Sequence, residues 1–153
     1  MYACDRKWWE KHLPAIKRDF RGELNTQFSN TNEKKWAEAN GITAMPGAHA
    51  DGLGSDRIHY GSNSGVQAIG LCWLLTKGQV THINLLGYDM GQTGGKNHWF
   101  GDHPKGMTNG NYSSFICRYD KLAKDLAANG VTVTNYTRTT NLNQFKRASL
   151  DDI

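Results

Sequence analysis

The chain has 153 residues, 38% of them apolar, with 17 glycines and a formal net charge of +4, enough for one domain with a real core and generous loops. No run approaches ~18 apolar residues, so no helical membrane span and no membrane partner are predicted, and the N-terminus lacks the basic-then-apolar layout of a signal peptide, so the chain reads as cytoplasmic. Lys and Arg are too scattered to argue for nucleic acid, and the mild positive charge suits an anionic small ligand and a solvated basic surface equally well.

Taken in chain order, Tyr2 to Cys4 reads as the end of a strand, after which Asp5 caps a helix to about Arg18. Trp8, Trp9, Leu13 and Ile16 form its apolar stripe, and Pro14 is placed to kink or shorten it. Glu23 to Phe28 reads as a short strand. Thr31 caps a helix over 32–39, closed by Asn40-Gly41 as a left-handed C-cap. Ile42 to Met45 is a further strand. Residues 46–63 form a Gly/Asp/His-rich loop, and loops of that length are usually functional or disordered. Ser64 opens a helix to about Thr76 that is apolar on most sides, hence well buried. The strand His82 to Leu86 has a run, Ile83, Leu85 and Leu86, that suits a central parallel position. After a second long loop, 87–110, Tyr112 to Ala128 is the clearest amphipathic helix, stopped by Asn129-Gly130. Val131 to Asn135 is the last strand. From Thr137 the chain is polar and loosely specified, with one helical turn around Leu142 to Phe145.

Strands alternating with helices imply an α/β fold with right-handed crossovers, a Rossmann-like three-layer parallel sheet over residues 1–146, followed by a polar tail, 147–153. The chain opens on a strand already at its carboxyl end, with no Gly-rich turn before it, so the fold is expected to lack its first βα unit. The sheet edge this exposes invites a second subunit, and a homo-oligomer is expected. The cysteines Cys4, Cys72 and Cys117 are odd in number and widely spaced. Cys4 and Cys72 read as buried free thiols, and no CxxC pair suggests zinc.

The stretch 61–103 concentrates the chemistry. Gly61-Ser62-Asn63-Ser64-Gly65 has the parts of an anion site: glycines that admit a ligand to the backbone, free helix N–H groups, and side-chain donors on Ser62, Asn63 and Ser64. An ordinary capped helix start uses the same residues. Asp89, just beyond a buried strand, is placed to hold a ribose hydroxyl, a metal or a reacting hydroxyl, or else makes an Asx-turn with the Met90–Gly91 backbone. His98, Asp102 and His103 follow Gly94-Gly95-Lys96. Either histidine suits general-base work or is simply a solvated loop residue; His98 and His103 with Asp89 or Asp102 would make a divalent site, but no helical HxxxH spacing or second cysteine supports zinc and no metal ligand is assigned. Trp99-Phe100 would anchor that loop or stack on a base. Lys96 is a phosphate contact or a solvated lysine. Asp5 and Arg6 face the same strand edge, Asp5 reading equally as a cap and as a ligand group. His49, Asp51, Asp56 and His59 read as structural or mobile, with a metal site or lid as the functional alternative. His12 and His82 read as surface or packing residues.

Asn63-Ser64-Gly65-Val66, Leu86-Gly87-Tyr88-Asp89-Met90 and Thr93-Gly94-Gly95 together resemble Rossmann-like proteins named for archaeal 6-hydroxymethylpterin diphosphokinase. They are also similar to the bacterial glycosyltransferase family 42 sialyltransferases, which carry a comparable Ser-Gly-Val helix start and Gly-x-Asp strand end. Over about residues 2–146 the chain resembles uncharacterised tailed-phage proteins with YACDRxWW near one strand and GKxHWFGDHP after another. The resemblance implies a nucleotide or nucleotide-sugar pocket lined by Asn63, Ser64, Gly65 and Asp89. It also implies transferase chemistry (glycosyl or diphosphate transfer), with Mg or Mn as the cofactor of the latter, and a histidine base in the region of His98 and His103. A phage-encoded protein would work in the host cytoplasm. Full-length relatives begin with a strand and a Gly-x-Gly-Pro-Ser loop that this sequence does not contain, so the expectation is either a truncated form or, as the alternative function, a non-catalytic nucleotide-sequestering or assembly protein.

Overall fold

The structure, a computed structural model, describes residues 1–92, 94–97 and 110–152. Helix α1 (Arg6–Asp19) starts where predicted. Asp5 is extended, at φ −93, and its carboxylate accepts the Lys7 N–H at 2.8 Å, satisfying one of the helix's orphan donors. Pro14 does not end the helix, which runs on to Asp19. Trp9 is fully buried, and its indole N–H finds the Ala3 carbonyl at 2.9 Å.

Strand β1 (Asn25–Phe28), helix α2 (Thr31–Ala39) and strand β2 (Thr43–Ala48) follow. Asn30, not Thr31, caps α2: its side-chain oxygen accepts the N–H groups of Asn32 and Glu33, both at 3.0 Å. β2 runs three residues beyond the expected Met45, through Pro46 and Gly47. Pro46 lies opposite Phe28, the last residue of β1, so its missing donor costs the ladder little. The segment expected to be one long loop also contains β3 (Ile58–His59), paired to Gly47 and Ala48. The Asp51–Arg118 ion pair and a bond from the Leu53 N–H to Asp125 tie the intervening residues to a later helix.

Helix α3 (Ser64–Leu75) leads to β4 (His82–Leu85). After the second loop come α4 (Tyr112–Ile116), α5 (Arg118–Ala128), β5 (Thr132–Asn135), β6 (Lys146–Arg147) and a 3-10 turn, Leu150–Asp152. The fold is mixed α/β with two three-stranded sheets, β1-β2-β3 and β4-β5-β6, parallel in every pairing among the described residues. Tyr2 adds a parallel bridge to Asn25 at the edge of the first sheet. Among the described residues no ladder joins that edge to β4, because the Tyr2 segment makes a single bridge before Asp5 turns it into α1.

β4 is half-buried rather than central: Ile83 and Leu85 point into the core, whereas His82 and Asn84 are exposed and Leu86 is 59% exposed. The helix expected over 112–128 is two helices meeting at Cys117, whose ψ is −21. In its first turn the Ser114 hydroxyl bonds the Asn111 carbonyl at 2.8 Å, a local alternative to regular helix bonding. The C-terminal segment is not a loose tail. Leu142 is fully buried and Phe145 nearly so, and β6 crosses the boundary expected at 146/147. The cysteines are free, but Cys4 and Cys72 are half-buried rather than buried, and Cys117 is exposed.

Two apolar clusters result. Ala3, Trp9, Leu13, Ala37 and Ile42 join α1 and α2 to the first sheet. Val66, Ile69, Leu85, Tyr119, Leu122 and Val133 belong to a larger one that joins α3 and α5 to the second. No helix among the described residues is long and apolar enough to cross a membrane.

Candidate functional site

The first turn of α3 is the best-organised polar region of the described chain. Gly61 and Ser62 have φ +47 and +60, a left-handed pair that bends the chain sharply into the helix. Asn63 then caps it. Its side-chain oxygen accepts the Val66 N–H at 3.0 Å and the Tyr119 hydroxyl at 3.1 Å, while its amide donates to the Gly61 carbonyl at 3.1 Å. The Ser64 hydroxyl lies 3.1 Å from the Cys4 thiol. On the other side, the Tyr88 hydroxyl, just past β4, donates to the Gly65 carbonyl at 3.2 Å. A Cβ on Gly65 would stand 2.6 Å from the Tyr119 hydroxyl and 3.0 Å from the Tyr88 ring, so only glycine fits without displacing them. One turn further, buried Gln67 accepts from the Tyr2 hydroxyl at 2.5 Å and donates to the Tyr60 carbonyl at 2.7 Å. Residues from both sheets thus converge on this one helix start.

The electrostatics keep these groups neutral. Burial pushes the phenols of Tyr2 and Tyr119 well above their ordinary range, and burial, then Cys72, pushes Tyr88 up to about 12. All three are hydrogen-bond donors at neutral pH. Burial also pushes the Cys4 thiol up, against the lowering effect of Ser64, so Cys4 is not a ready nucleophile. The Ser64 and Gly65 N–H groups have no partner among the described residues, and they lie at the positive end of the helix, where an anion is favoured.

The other expected site residues sit as follows. Asp5 is the α1 cap. The Arg6 Nε bonds Glu10 at 2.7 Å, and its guanidinium lies 4.8 Å from the centre of the Trp36 ring. A cleft of about 370 Å³ opens beside Cys4, Asp5, Arg6, Gln27 and Trp36. Ser62 lines a second, smaller cleft of about 230 Å³. Asp89 stands near Tyr112: burial, then the Asp89 charge, raises the Tyr112 phenol. The backbone around it is fixed by Asn141, whose N–H donates to the Asp89 carbonyl at 2.8 Å, and by Thr140, whose hydroxyl donates to the Tyr88 carbonyl. Gly94 and Gly95 are left-handed, at φ +59 and +75, and Lys96 is exposed. His98, Trp99, Phe100, Asp102 and His103 lie outside the described residues, as does Thr93. From the end of β4, Tyr88 makes the contact with the α3 turn.

Among the described residues no group of three or more His, Cys, Asp or Glu is arranged to hold a metal ion. Asp51 pairs with Arg118 at 2.9 Å and Asp56 with Arg57 at 2.7 Å. The His59 ring lies 3.1 Å from the Asp51 carbonyl oxygen, and the His49 ring meets Tyr60 edge-on. His12 packs on Trp8 and His82 is exposed. The residues that sequence reasoning missed are Gln67, Tyr2, Tyr88 and Tyr119. Their signal is a polar tip inside an apolar pattern, which needs a partner once buried.

No family model, no curated protein and no solved structure matches this chain.

Proposed function

We propose that the chain is a Rossmann-like α/β domain that binds a nucleotide or nucleotide-sugar at the carboxyl ends of its parallel strands, with transferase chemistry. One observation carries the reading. The first turn of α3 is held by Cys4 from the first sheet's side and by Tyr88 from the second's, while its leading N–H groups stay open. In open α/β folds the crevice beyond the carboxyl ends of the strands, where the chain passes from one half to the other, is the usual ligand site. In this reading the Ser64 and Gly65 N–H groups, with Ser62 and Asn63 beside them, hold a phosphate. Asp89 orients a hydroxyl of the ligand or acceptor. Their place in the sequence makes His98 or His103 the base that deprotonates the acceptor, with Lys96 and the Gly94-Gly95 turn close to the leaving phosphate.

A second reading is favoured by Arg6. With its Nε on Glu10 and its face on Trp36, it is not poised for a leaving group, which suits a protein that sequesters a nucleotide without turning it over.

The test has two stages. Small molecules released from the denatured protein are identified by mass spectrometry, and nucleoside phosphates and nucleotide-sugars are titrated calorimetrically. Binding is expected, and its absence across the whole panel removes both readings. Incubation with the bound class then separates them. Turnover that Asp89→Ala abolishes while binding persists supports the transferase, whereas stoichiometric release of an unchanged nucleotide supports sequestration.

A further inference from the structure

The smaller cleft, beyond Ser62, has no role in the reading above. It measures about 230 Å³ and lies among His49 after β2, Asp51, Tyr60, the Gly61–Ser62 turn, and Arg118 at the start of α5. Small-molecule sites typically span ~300–1,000 Å³, so this cleft suits one group of a ligand rather than a whole nucleotide. Its walls are polar and their geometry is set. The His49 ring meets Tyr60 edge-on at 4.6 Å, and the Tyr60 hydroxyl is 2.7 Å from Ser29. Ser62 lies on the cleft wall and its neighbour Asn63 on the helix cap, so the cleft adjoins the open N–H groups of α3.

Arg118 is the group that sets the chemistry. One of its terminal nitrogens donates to Asp51 at 2.9 Å. The two side chains are 41% and 37% exposed, and an ion pair so open adds little stability. Its effect is to fix where the guanidinium lies. A guanidinium has five N–H donors, and a single carboxylate oxygen engages only one of them here. The Nε–H is buried without a partner among the described residues. The terminal N–H groups that Asp51 leaves unengaged make this fixed guanidinium suited to recognition of a phosphoryl group, while the buried Nε–H faces the protein. Neither cation expected from sequence matches it: Arg6 is engaged by Glu10 and Trp36, and Lys96 is a single exposed charge.

We propose that this cleft is a phosphoryl subsite, in which Arg118 is the cation, Ser62 a wall donor and Asp51 the positioning residue for the guanidinium. The inference rests on the nucleotide reading and deepens it, assigning the distal phosphate of a nucleoside diphosphate to α5 while the nearer one meets the α3 turn.

The experiment compares the four ribonucleoside diphosphates with their nucleosides, by calorimetry at two salt concentrations. In Arg118→Gln the diphosphate that binds best is expected to bind at least about tenfold more weakly and with a shallower salt dependence, with nucleoside binding unchanged. Arg118→Lys should recover part of the loss, which a merely misfolded Gln variant would not explain. Lys124→Gln, an exposed cation removed from the same helix, should bind like wild type. If the wild type binds a diphosphate and Arg118→Gln binds it equally well, the subsite is wrong and the nucleotide reading stands. If the wild type binds neither nucleosides nor diphosphates, the subsite is wrong, and the nucleotide-sugars of the wider panel decide the nucleotide reading.

Discussion

Asn63 shows how one side chain can serve both a helix and a core. Its oxygen caps α3 through Val66 and also receives the hydroxyl of Tyr119, 56 residues away in sequence. The cap was legible from the Ser/Asn/Gly cluster alone. The tyrosine was not, because nothing in the sequence marks which distant residue a cap oxygen will meet. The two roles predict a graded response. Asn63→Ala removes an N-cap, worth about 1–2 kcal/mol, and strands a buried phenol, worth about 1–3 kcal/mol more. Asn63→Asp keeps both accepted bonds and loses only the donation to Gly61, so it should be close to wild type at neutral pH. Urea unfolding of the three proteins measures this. An Asn63→Ala midpoint equal to that of wild type would show that the cap oxygen contributes nothing.

At the scale of elements, helices were legible where local chemistry marks both ends. Asp5 opens α1, and Gly41 and Gly130 close α2 and α5 in left-handed turns. β3 and β6 were not legible, since two residues carry no alternation. The break between α4 and α5 was hidden because the apolar stripe of Phe115, Ile116, Tyr119 and Leu122 runs straight through it. Leu142 and Phe145 were lost among polar neighbours, although both are core residues. The segment between β2 and β3 looked like a free loop because its anchors are also distant. Arg118 holds Asp51, and the Asp125 carboxylate accepts the Leu53 N–H at 2.9 Å and pairs with Lys121. Burial raises the Asp125 carboxyl, but Lys121 and the Leu53 N–H outweigh it and leave it below its ordinary 3.8. A carboxylate depressed in the folded state stabilises above its unfolded value, and that contribution is lost as pH falls through the folded one. The Leu53 amide should therefore exchange slowly near neutral pH and faster as pH falls below 3.8, after correction for intrinsic rates. In Asp125→Ala, which removes the acceptor, the corrected rate should be high throughout and independent of pH over that range. A wild-type rate equally flat through it would mean that Asp125 does not pin the loop.

Across the whole molecule, the two sheets share no ladder among the described residues, so their coupling passes through α3 and through the α5 anchors of the β2–β3 segment. Gln67 is the link furthest inside. It is 4% exposed and bonds Tyr2, from the edge of the first sheet, and Tyr60, just after β3, while its own helix packs on Leu85 and Val133 of the second. Gln67→Leu preserves bulk but leaves the Tyr2 phenol and the Tyr60 carbonyl without their partner, about 1–3 kcal/mol for each buried group. The loss should not be shared evenly. The cluster on the first sheet has five buried residues against eleven in the other, so the first has less apolar burial to fall back on. In the wild type, amides of the β1–β2 ladder and of the β4–β5 ladder are expected to exchange through one common opening. In Gln67→Leu the β1–β2 amides should exchange through a cheaper, separate opening, as expected when a structure divides into cooperative units of unequal stability. If the two ladders instead lose protection by the same amount, the sheets are coupled elsewhere, and α3 is only one of several connections between them.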